Sequence, residues 1–167
     1  MDDEHFEIER KFLIRRPSLS YLEQYAERSE ITQTYLSAPA GQTERVRRRG
    51  KDGVYAYTHT CKIRLNTVRR IEQETEITRA EYETLLKRAD PKCRPIRKER
   101  WVLPYRGQSF EIDIFPFWER QAYLELELGD EGQEIDFPPD ICLLREVTAD
   151  PRYTNAALAR EIPEEEA

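Results

Sequence analysis

The sequence predicts a mainly β protein of the α+β class: an eight-stranded antiparallel barrel that closes around a charged tunnel, the lumen, with a few helices flanking it. Three observations support this prediction. Short segments in which apolar and polar residues alternate follow one another, with turn residues between them. Their polar positions carry charged residues two apart, the period at which side chains share one face of a strand. About eight such segments are present, enough to close a barrel around a small ligand.

The first element is a strand, because residues 6–14 alternate in the run FEIERKFLI. Glu7, Glu9 and Lys11 share one face, and the other face is mostly apolar. Residues 15–30 contain a helix start, since Ser20 with Glu23 three residues later fits a capping box.

Four more strands follow, with Gly41, Gly50 and Gly53 as turn residues between them. They are predicted at 31–37, 43–50, 54–63 and 69–77. A helix follows over 78–89, because Thr78 and Glu81 fit a second capping box ahead of an apolar stripe. Strands then resume at 96–103, 109–115 and 122–128, and a last helix is predicted at 153–160.

Length and composition indicate one domain without a membrane segment. The chain has 167 residues, 36% of them charged, and a net charge of −6, which argues against a general polyanion-binding surface. No apolar run approaches the roughly 20 residues that span a bilayer, and no hydrophobic signal region is present, so we expect a cytoplasmic protein without a membrane partner. Residues 1–160 are predicted as a single domain and 161–167 as a frayed acidic tail.

The cysteines and histidines suggest no metal centre of their own. Cys61, Cys93 and Cys142 are an odd number without a C-x-x-C spacing, which favours reduced thiols over a zinc site or a disulfide framework. Cys61 is expected on the apolar face of its strand, in the core. The two histidines, His5 and His59, are too scattered for a histidine cluster.

The polar faces of the strands are built almost only of charged residues. Arg45, Arg47 and Arg49 share one face, and so do Glu72, Glu74 and Glu76. The other charged pairs at this spacing are Lys98 with Arg100, Glu111 with Asp113, and Glu125 with Glu127. An ordinary half-exposed sheet would also alternate, but adjacent like charges repel and Glu and Lys are poor strand formers. Because this unfavourable arrangement recurs in strand after strand, we infer that the charges have a function.

A lumen lined by both kinds of charge suits one class of ligand. Paired carboxylates are the ligands that Mg²⁺ and Mn²⁺ prefer. Clustered Arg and Lys side chains bind phosphate oxygens. A metal-bound polyphosphate or nucleoside triphosphate needs both.

The chain resembles the CYTH superfamily, the triphosphate tunnel metalloenzymes, in particular its short single-domain bacterial members. EIERK at 7–11 matches the E-x-E-x-K signature, which alone is a weak pattern. The ordered set of matches along the chain is far more specific: QTYL (33–36), RVR (45–47), TCK (60–62), EQETEI (72–77), RKER (97–100), EIDIF (111–115), LELEL (124–128), EVT (146–148) and YTNAALA (153–159).

The resemblance implies a tunnel-like barrel that binds a triphosphate with Mg²⁺ or Mn²⁺ and usually hydrolyses it. The implied metal ligands are Glu7, Glu9, Glu125 and Glu127. The implied phosphate-binding residues are Lys11, Arg45, Arg47, Lys62, Lys98 and Arg100. Glu72, Glu74 and Asp113 would face the lumen, and the implied catalytic set is Lys11, Arg47, Lys98, Glu74, Asp113 and Tyr35. Arg49 and Glu76 lie near strand ends and are not assigned a role.

The substrate is the open question. Short bacterial members favour inorganic tripolyphosphate, cleaved to pyrophosphate and phosphate, and no base-binding motif is evident in this chain. A nucleoside triphosphatase, a thiamine-triphosphatase and an adenylate cyclase would use the same tunnel. From other classes, RVRRRG (45–50) with nearby aromatics suggests a nucleic-acid patch, although the alternating carboxylates oppose it, and a non-catalytic phosphate sensor would share the lumen. Monomer and homodimer are both compatible with the sequence.

Overall fold

The fold is described here from a computed structural model, which covers residues 5–66 and 69–167, with side chains from Ile8 onward. The strands are β1 His5–Arg15, β2 Glu27–Leu36, β3 Gln42–Lys51, β4 Val54–Arg64, β5 Arg69–Ile77, β6 Ile96–Tyr105, β7 Gln108–Ile114, β8 Gln121–Leu128 and β9 Leu143–Glu146. The helices are α1 Leu19–Tyr25, α2 Arg79–Leu85 and α3 Asn155–Leu158, with short 3₁₀ turns at Leu86–Arg88 and Pro151–Tyr153. No helix in this part of the chain is both long and apolar enough to cross a membrane.

Eight strands form a closed antiparallel ring. Their order is β5-β4-β3-β2-β6-β7-β8-β1, and the ring closes where His5–Ile8 of β1 pairs with Arg69–Glu72 of β5. The predicted eight-stranded barrel is therefore confirmed. A ninth strand, β9, was not predicted from the sequence; it pairs with the second half of β1, from Phe12 to Ile14.

Two tight hairpins set the register of neighbouring strands. Asp52 and Gly53 connect β3 to β4, and Arg106 and Gly107 connect β6 to β7. All four residues have positive φ, between 46° and 79°, as a two-residue type I′ turn requires. This turn matches the twist of the two strands that it joins. Residues that lie opposite each other on the two strands therefore point to the same face of the sheet.

The main apolar core lies outside the ring. Leu22 of α1 is fully buried against the outer face of β6, β7 and β8, where Trp101, Ile112 and Leu124 pack. The predicted capping box at Ser20 is wrong: Ser18 caps α1 and accepts a hydrogen bond from the Tyr21 amide. This earlier start directs Leu22 into the core. The capping box of Thr78 and Glu81 on α2 is present as predicted.

A second apolar cluster closes one end of the ring, and we call it the plug. It joins inward-facing Leu13, Tyr35 and Tyr123 to Tyr153 and Leu158 of the C-terminal segment, residues 151–167. The charge pattern gave no sign of its inward-facing members, because these positions continue the inward rows of charged residues without a change of period. The lumen is thus polar along only part of the barrel.

The end of the chain is packed, so the expected fraying is wrong. Trp118 Nε1 donates a hydrogen bond to the Pro163 carbonyl at 3.0 Å, and Glu166 accepts one from Arg145 Nε at 2.8 Å. The amide of Glu166 donates to Gln121 Oε1 at 2.7 Å. These contacts, two made by backbone groups and one by an acidic side chain with a basic partner, hold the last residues in place.

Candidate functional site

The lumen consists of two adjoining spaces inside the ring. The larger has a volume of about 910 Å³ and the smaller about 300 Å³, the size range of small-molecule sites. Both are bounded by Glu9, Arg45 and Lys62. The predicted residues that line one or both spaces are Glu9, Lys11, Tyr35, Arg45, Arg47, Lys62, Glu72, Glu74, Arg100, Glu125 and Glu127. Arg49 also lines the larger space, whereas Glu76 does not.

Three arginines form a buried basic cluster on one wall. Arg45 and Arg47 come from β3 and Arg100 from β6, and each is less than a tenth exposed. Burial, together with the charges of Arg45 and Arg100, lowers the pKa of Arg47 to about 9. The Nε atoms of Arg45 and Arg47 have no hydrogen-bond partner among the described residues. Such a surplus of buried positive charge fits an anion with several oxygens.

Asp113 neutralises part of this cluster from beneath. It accepts hydrogen bonds from Arg100 Nε at 2.8 Å and from Lys98 Nζ at 2.6 Å. Burial alone would raise the pKa of Asp113, but the charges of Arg100 and Lys98 outweigh it and hold the pKa well below its usual range. Burial also lowers the pKa of Lys98 to about 7, against the opposing charge of Asp113. Lys98 and Asp113 are fully buried, and neither is among the residues that line the lumen.

Carboxylates line the opposite wall and face one another across paired strands. Glu9 of β1 lies directly opposite Glu127 of β8, and Glu111 of β7 lies directly opposite Glu125. Like charges in such positions destabilise a sheet. Burial and the charge of Glu125 raise the pKa of Glu9. A bound cation would relieve this repulsion.

Glu125 supplies the most direct sign of an oxygen-based cation site. Its pKa is lowered to about 2, because Lys11 and other nearby cations outweigh the effect of burial. Its Oε1 atom is buried and accepts no hydrogen bond from the described groups, although Lys11 Nζ lies 3.4 Å away. Glu7, the fourth predicted ligand, is in β1, but its side chain lies outside the described part of the structure.

Lys11 lies where the polar lumen meets the plug. Its Nζ donates a hydrogen bond to the Tyr153 carbonyl at 3.0 Å and lies 4.7 Å from the centre of the Tyr123 ring. Tyr35 borders the same smaller space, and burial raises its pKa. The C-terminal segment therefore helps to position a predicted phosphate-binding residue.

The third wall, formed by β4 and β5, mixes both signs of charge. Lys62 Nζ lies 3.4 Å from Glu72 Oε2 across the strand pair. Glu74 borders the larger space and is exposed to it. This wall is the more open part of the ring.

Three residues that border the lumen, and one buried beside it, were not assigned a role from the sequence. Arg70 Nη1 lies 3.9 Å from Glu9 Oε1, and its spacing of two from Glu72 was a usable signal. Gln33 is fully buried and accepts a hydrogen bond from Arg47 Nη2 at 3.3 Å, but a neutral residue does not stand out in a charge pattern. Glu111 continues the row of Asp113, and Arg100 Nη1 lies 2.7 Å from it. Asn155 comes from the C-terminal segment, where no strand period exists.

Known proteins with similar sequences and structures agree with the fold and the charged lumen described above. The family model of the CYTH domain matches residues 5–141. An inorganic triphosphatase of Nitrosomonas europaea is 33% identical over 161 residues, which covers 94% of this chain and 99% of the relative. A solved structure of an inorganic triphosphatase is similar with a TM-score of 0.60 and 30% identity, covering 95% of this chain and 97% of the other. A protein of Pyrococcus horikoshii OT3 shares the fold, with a TM-score of 0.55 and 19% identity over 74% of this chain and 80% of its own. The closed ring, its charged interior and these matches together show that the chain belongs to the CYTH domain family.

Proposed function

We propose that this protein is a divalent-metal-dependent triphosphatase that cleaves inorganic tripolyphosphate to pyrophosphate and phosphate. The observation that carries this proposal is the pair of opposed clusters in the lumen, buried arginines on one wall and carboxylates on the other. A triphosphate with a bound cation presents both charges at once. The matches to an inorganic triphosphatase, in sequence and in a solved structure, support the choice of tripolyphosphate.

Phosphate binding falls to the basic cluster and its neighbours. Arg45, Arg47 and Arg100 form charge-assisted hydrogen bonds with phosphate oxygens, and Lys11 and Lys62 add contacts at the two sides. Gln33 and Asp113 orient the guanidinium groups of Arg47 and Arg100. Lys98 acts through Asp113, since its ammonium group is already 2.6 Å from that carboxylate.

The carboxylate wall fits Mg²⁺ or Mn²⁺. Glu9, Glu125 and Glu127 would hold the cation, and the resemblance adds Glu7. The Oε1 atom of Glu125, which accepts no hydrogen bond from the described groups, and the repulsion between Glu9 and Glu125 are the features that fit such an ion. When bound, the ion supplies charge neutralisation on the phosphate oxygens.

Hydrolysis then requires attack by a water molecule in line with the terminal phosphorus. A bond forms between the water oxygen and phosphorus, and the bond to the pyrophosphate oxygen breaks. Arg47 and Arg100 stabilise the negative charge that moves onto the leaving pyrophosphate. Glu74 accepts the proton of the water, because it borders the lumen and forms no ion pair with a basic side chain of the described residues, whereas Asp113 is held in its ion pairs.

The reaction is tested by a panel of phosphate-release assays. Tripolyphosphate, pyrophosphate, ATP and thiamine triphosphate are each compared with Mg²⁺, Mn²⁺ and a chelator, and cyclic AMP is measured in parallel. We expect the highest kcat/KM for tripolyphosphate, with equal yields of phosphate and pyrophosphate and no turnover under chelation. Cyclic AMP as the main product from ATP, or no phosphate release from any triphosphate, would overturn the proposal.

We further propose the setting in which the enzyme works. A small-molecule triphosphate is its partner, and nucleic acid and membranes are not, in keeping with a net charge of −6. The cytoplasm is its compartment, and residues 1–160 form its single functional domain, on which residues 161–167 pack.

A further inference from the structure

A second group of metal-ligating side chains lies on the outside of the barrel, on the β3–β4 hairpin. Glu44 of β3 is directly opposite Cys61 of β4, and His59 is two residues before Cys61. All three side chains therefore share the outer face, while Arg45 and Thr60, one position away, belong to the inward-facing rows. No role in triphosphate chemistry accounts for this group.

The three donor atoms are already close together. Nε2 of His59 and Oε1 of Glu44 are 2.7 Å apart, and one donor atom from each of the three residues lies within 4.8 Å of the others. Zinc bonds of about 2.0–2.3 Å place tetrahedral ligands roughly 3.3–3.8 Å apart. Shifts of about 1 Å or less would thus bring all three donors into a coordination sphere. Because paired strands carry them, the donors are held on a rigid support.

The group is accessible to solvent, and only one oxygen of Glu44 is engaged by a neighbouring cation. Arg88 Nη2 lies 3.3 Å from Glu44 Oε2, which is the other carboxylate oxygen, and the Arg88 side chain is 53% exposed. The side chains of His59 and Glu44 are 25% and 16% exposed. Solvent can therefore reach the group and provide a fourth ligand.

The kind of donor defines the metal. A cysteine sulfur and an imidazole nitrogen favour Zn²⁺ and similar transition ions, whereas Mg²⁺ prefers oxygen ligands alone. Burial and the charge of Glu44 raise the pKa of the Cys61 thiol. Coordination converts this thiol to a thiolate and releases its proton to solvent.

We propose that Glu44, His59 and Cys61 form a zinc site that is separate from the metal site of the lumen. The ion would join β3 to β4 on the face behind Arg45 and Thr60, and so stabilise the hairpin that carries Arg45 and Arg47. The proposal does not depend on the triphosphatase reaction. The cysteine spacing alone argued against a zinc site, and it gives no signal for this group because the three residues come from two strands.

The test is a Co²⁺ titration of the metal-free protein followed by absorption spectroscopy. Cobalt replaces zinc in tetrahedral sites and gives a near-ultraviolet charge-transfer band only when a thiolate is a ligand. We expect this band in the wild type, its displacement by Zn²⁺, and its loss in Cys61→Ser. Cobalt in the lumen would not produce it, since the carboxylates there offer only oxygen.

Matched variants complete the design. Cys93→Ser should keep the band, because Cys93 is the other half-buried thiol and lies in a different cluster. Glu44→Gln and His59→Ala should weaken zinc binding by at least the roughly tenfold that loss of a group hydrogen-bonded to a metal ligand usually causes. No thiolate band in the wild type, or a band that survives Cys61→Ser, would overturn the proposal.

Discussion

Arg47 and Arg48 show how a single step along a strand changes the role of a residue. Arg47 is buried at the lumen and bonded to Gln33, whereas the guanidinium of Arg48 lies on the outside, 4.5 Å from the centre of the Tyr55 ring. The two arginines have the same side chain and lie next to each other on β3. Only the direction of the side chain differs, which makes them a matched pair for experiment.

Arg47→Ala is expected to lower kcat/KM for tripolyphosphate by about 100-fold or more, the usual effect of removing a group that stabilises developing charge. Arg48→Ala should leave it nearly unchanged. Thermal unfolding of Arg47→Ala should shift little, because the removed cation is repelled by Arg45 and Arg100. Steady-state phosphate release by both variants is the measurement, and equal activity in the two would contradict the assignment.

Asp113 is expected to make the free energy of unfolding depend on pH in the acidic range. Its pKa is lower in the folded protein than in the unfolded chain, so its stabilising contribution is complete above the usual pKa of aspartate. The contribution is lost as the pH falls below about 4 toward the lower, folded-state pKa. Urea unfolding of the wild type should therefore show a falling free energy of unfolding across this acidic range.

Asp113→Asn should remove this dependence and reduce the free energy of unfolding at neutral pH by about 3–5 kcal/mol, because it leaves Lys98 and Arg100 buried without their carboxylate. Asp136→Asn is the control, since its ion pair with Arg106 is well exposed. An Asp113→Asn variant that is as stable as the wild type at pH 7 would be inconsistent with a buried ion cluster.

Among the elements, the strands were predictable and the plug was not. Residues 69–77 were predicted as a strand and form β5 with the same ends, because alternation reports directly which side chains share a face. Alternation does not report depth, so it placed Lys98 and Asp113 in the lumen where the structure buries them beneath Arg100. Nor does it identify an element as short as β9, which has four residues.

The C-terminal segment is the element whose importance the sequence understated. Removing residues 163–167 deletes the acceptor of the Trp118 indole and the partners of Arg120 and Arg145. We expect a lower thermal midpoint and a loss of about 1–3 kcal/mol in the free energy of unfolding.

Calorimetry of the truncated protein makes this comparison, with Glu164→Ala as a control at an exposed position of the same segment. A truncated protein that unfolds at the wild-type temperature would show that these residues do not contribute to the stability of the barrel.

At the scale of the whole molecule, the closed ring separates two environments. Apolar side chains of α1 and the outer faces of β6–β8 form the core outside, and the charged rows are collected inside. The molecule has a net charge of −6, yet its interior concentrates arginines on one wall. The ring therefore keeps charges of both signs close enough to act on one ligand.

Because the two walls act together, tripolyphosphate and Mn²⁺ should stabilise the protein more in combination than the sum of their separate effects. A ligand at about 100 times its Kd adds roughly 2.7 kcal/mol to the free energy of unfolding. Thermal-shift titrations at short incubation times measure this, with Glu9→Gln as the variant in which the metal effect should shrink. Purely additive shifts would indicate that the two walls bind independently.

The most direct measurement is a crystal structure of the protein with Mn²⁺ and a non-hydrolysable triphosphate analogue. The opposed clusters predict phosphate oxygens within hydrogen-bonding distance of Arg45, Arg47 and Arg100, and the cation on Glu9, Glu125 and Glu127. An analogue bound on the outer surface, with these side chains unchanged inside the ring, would contradict the central claim.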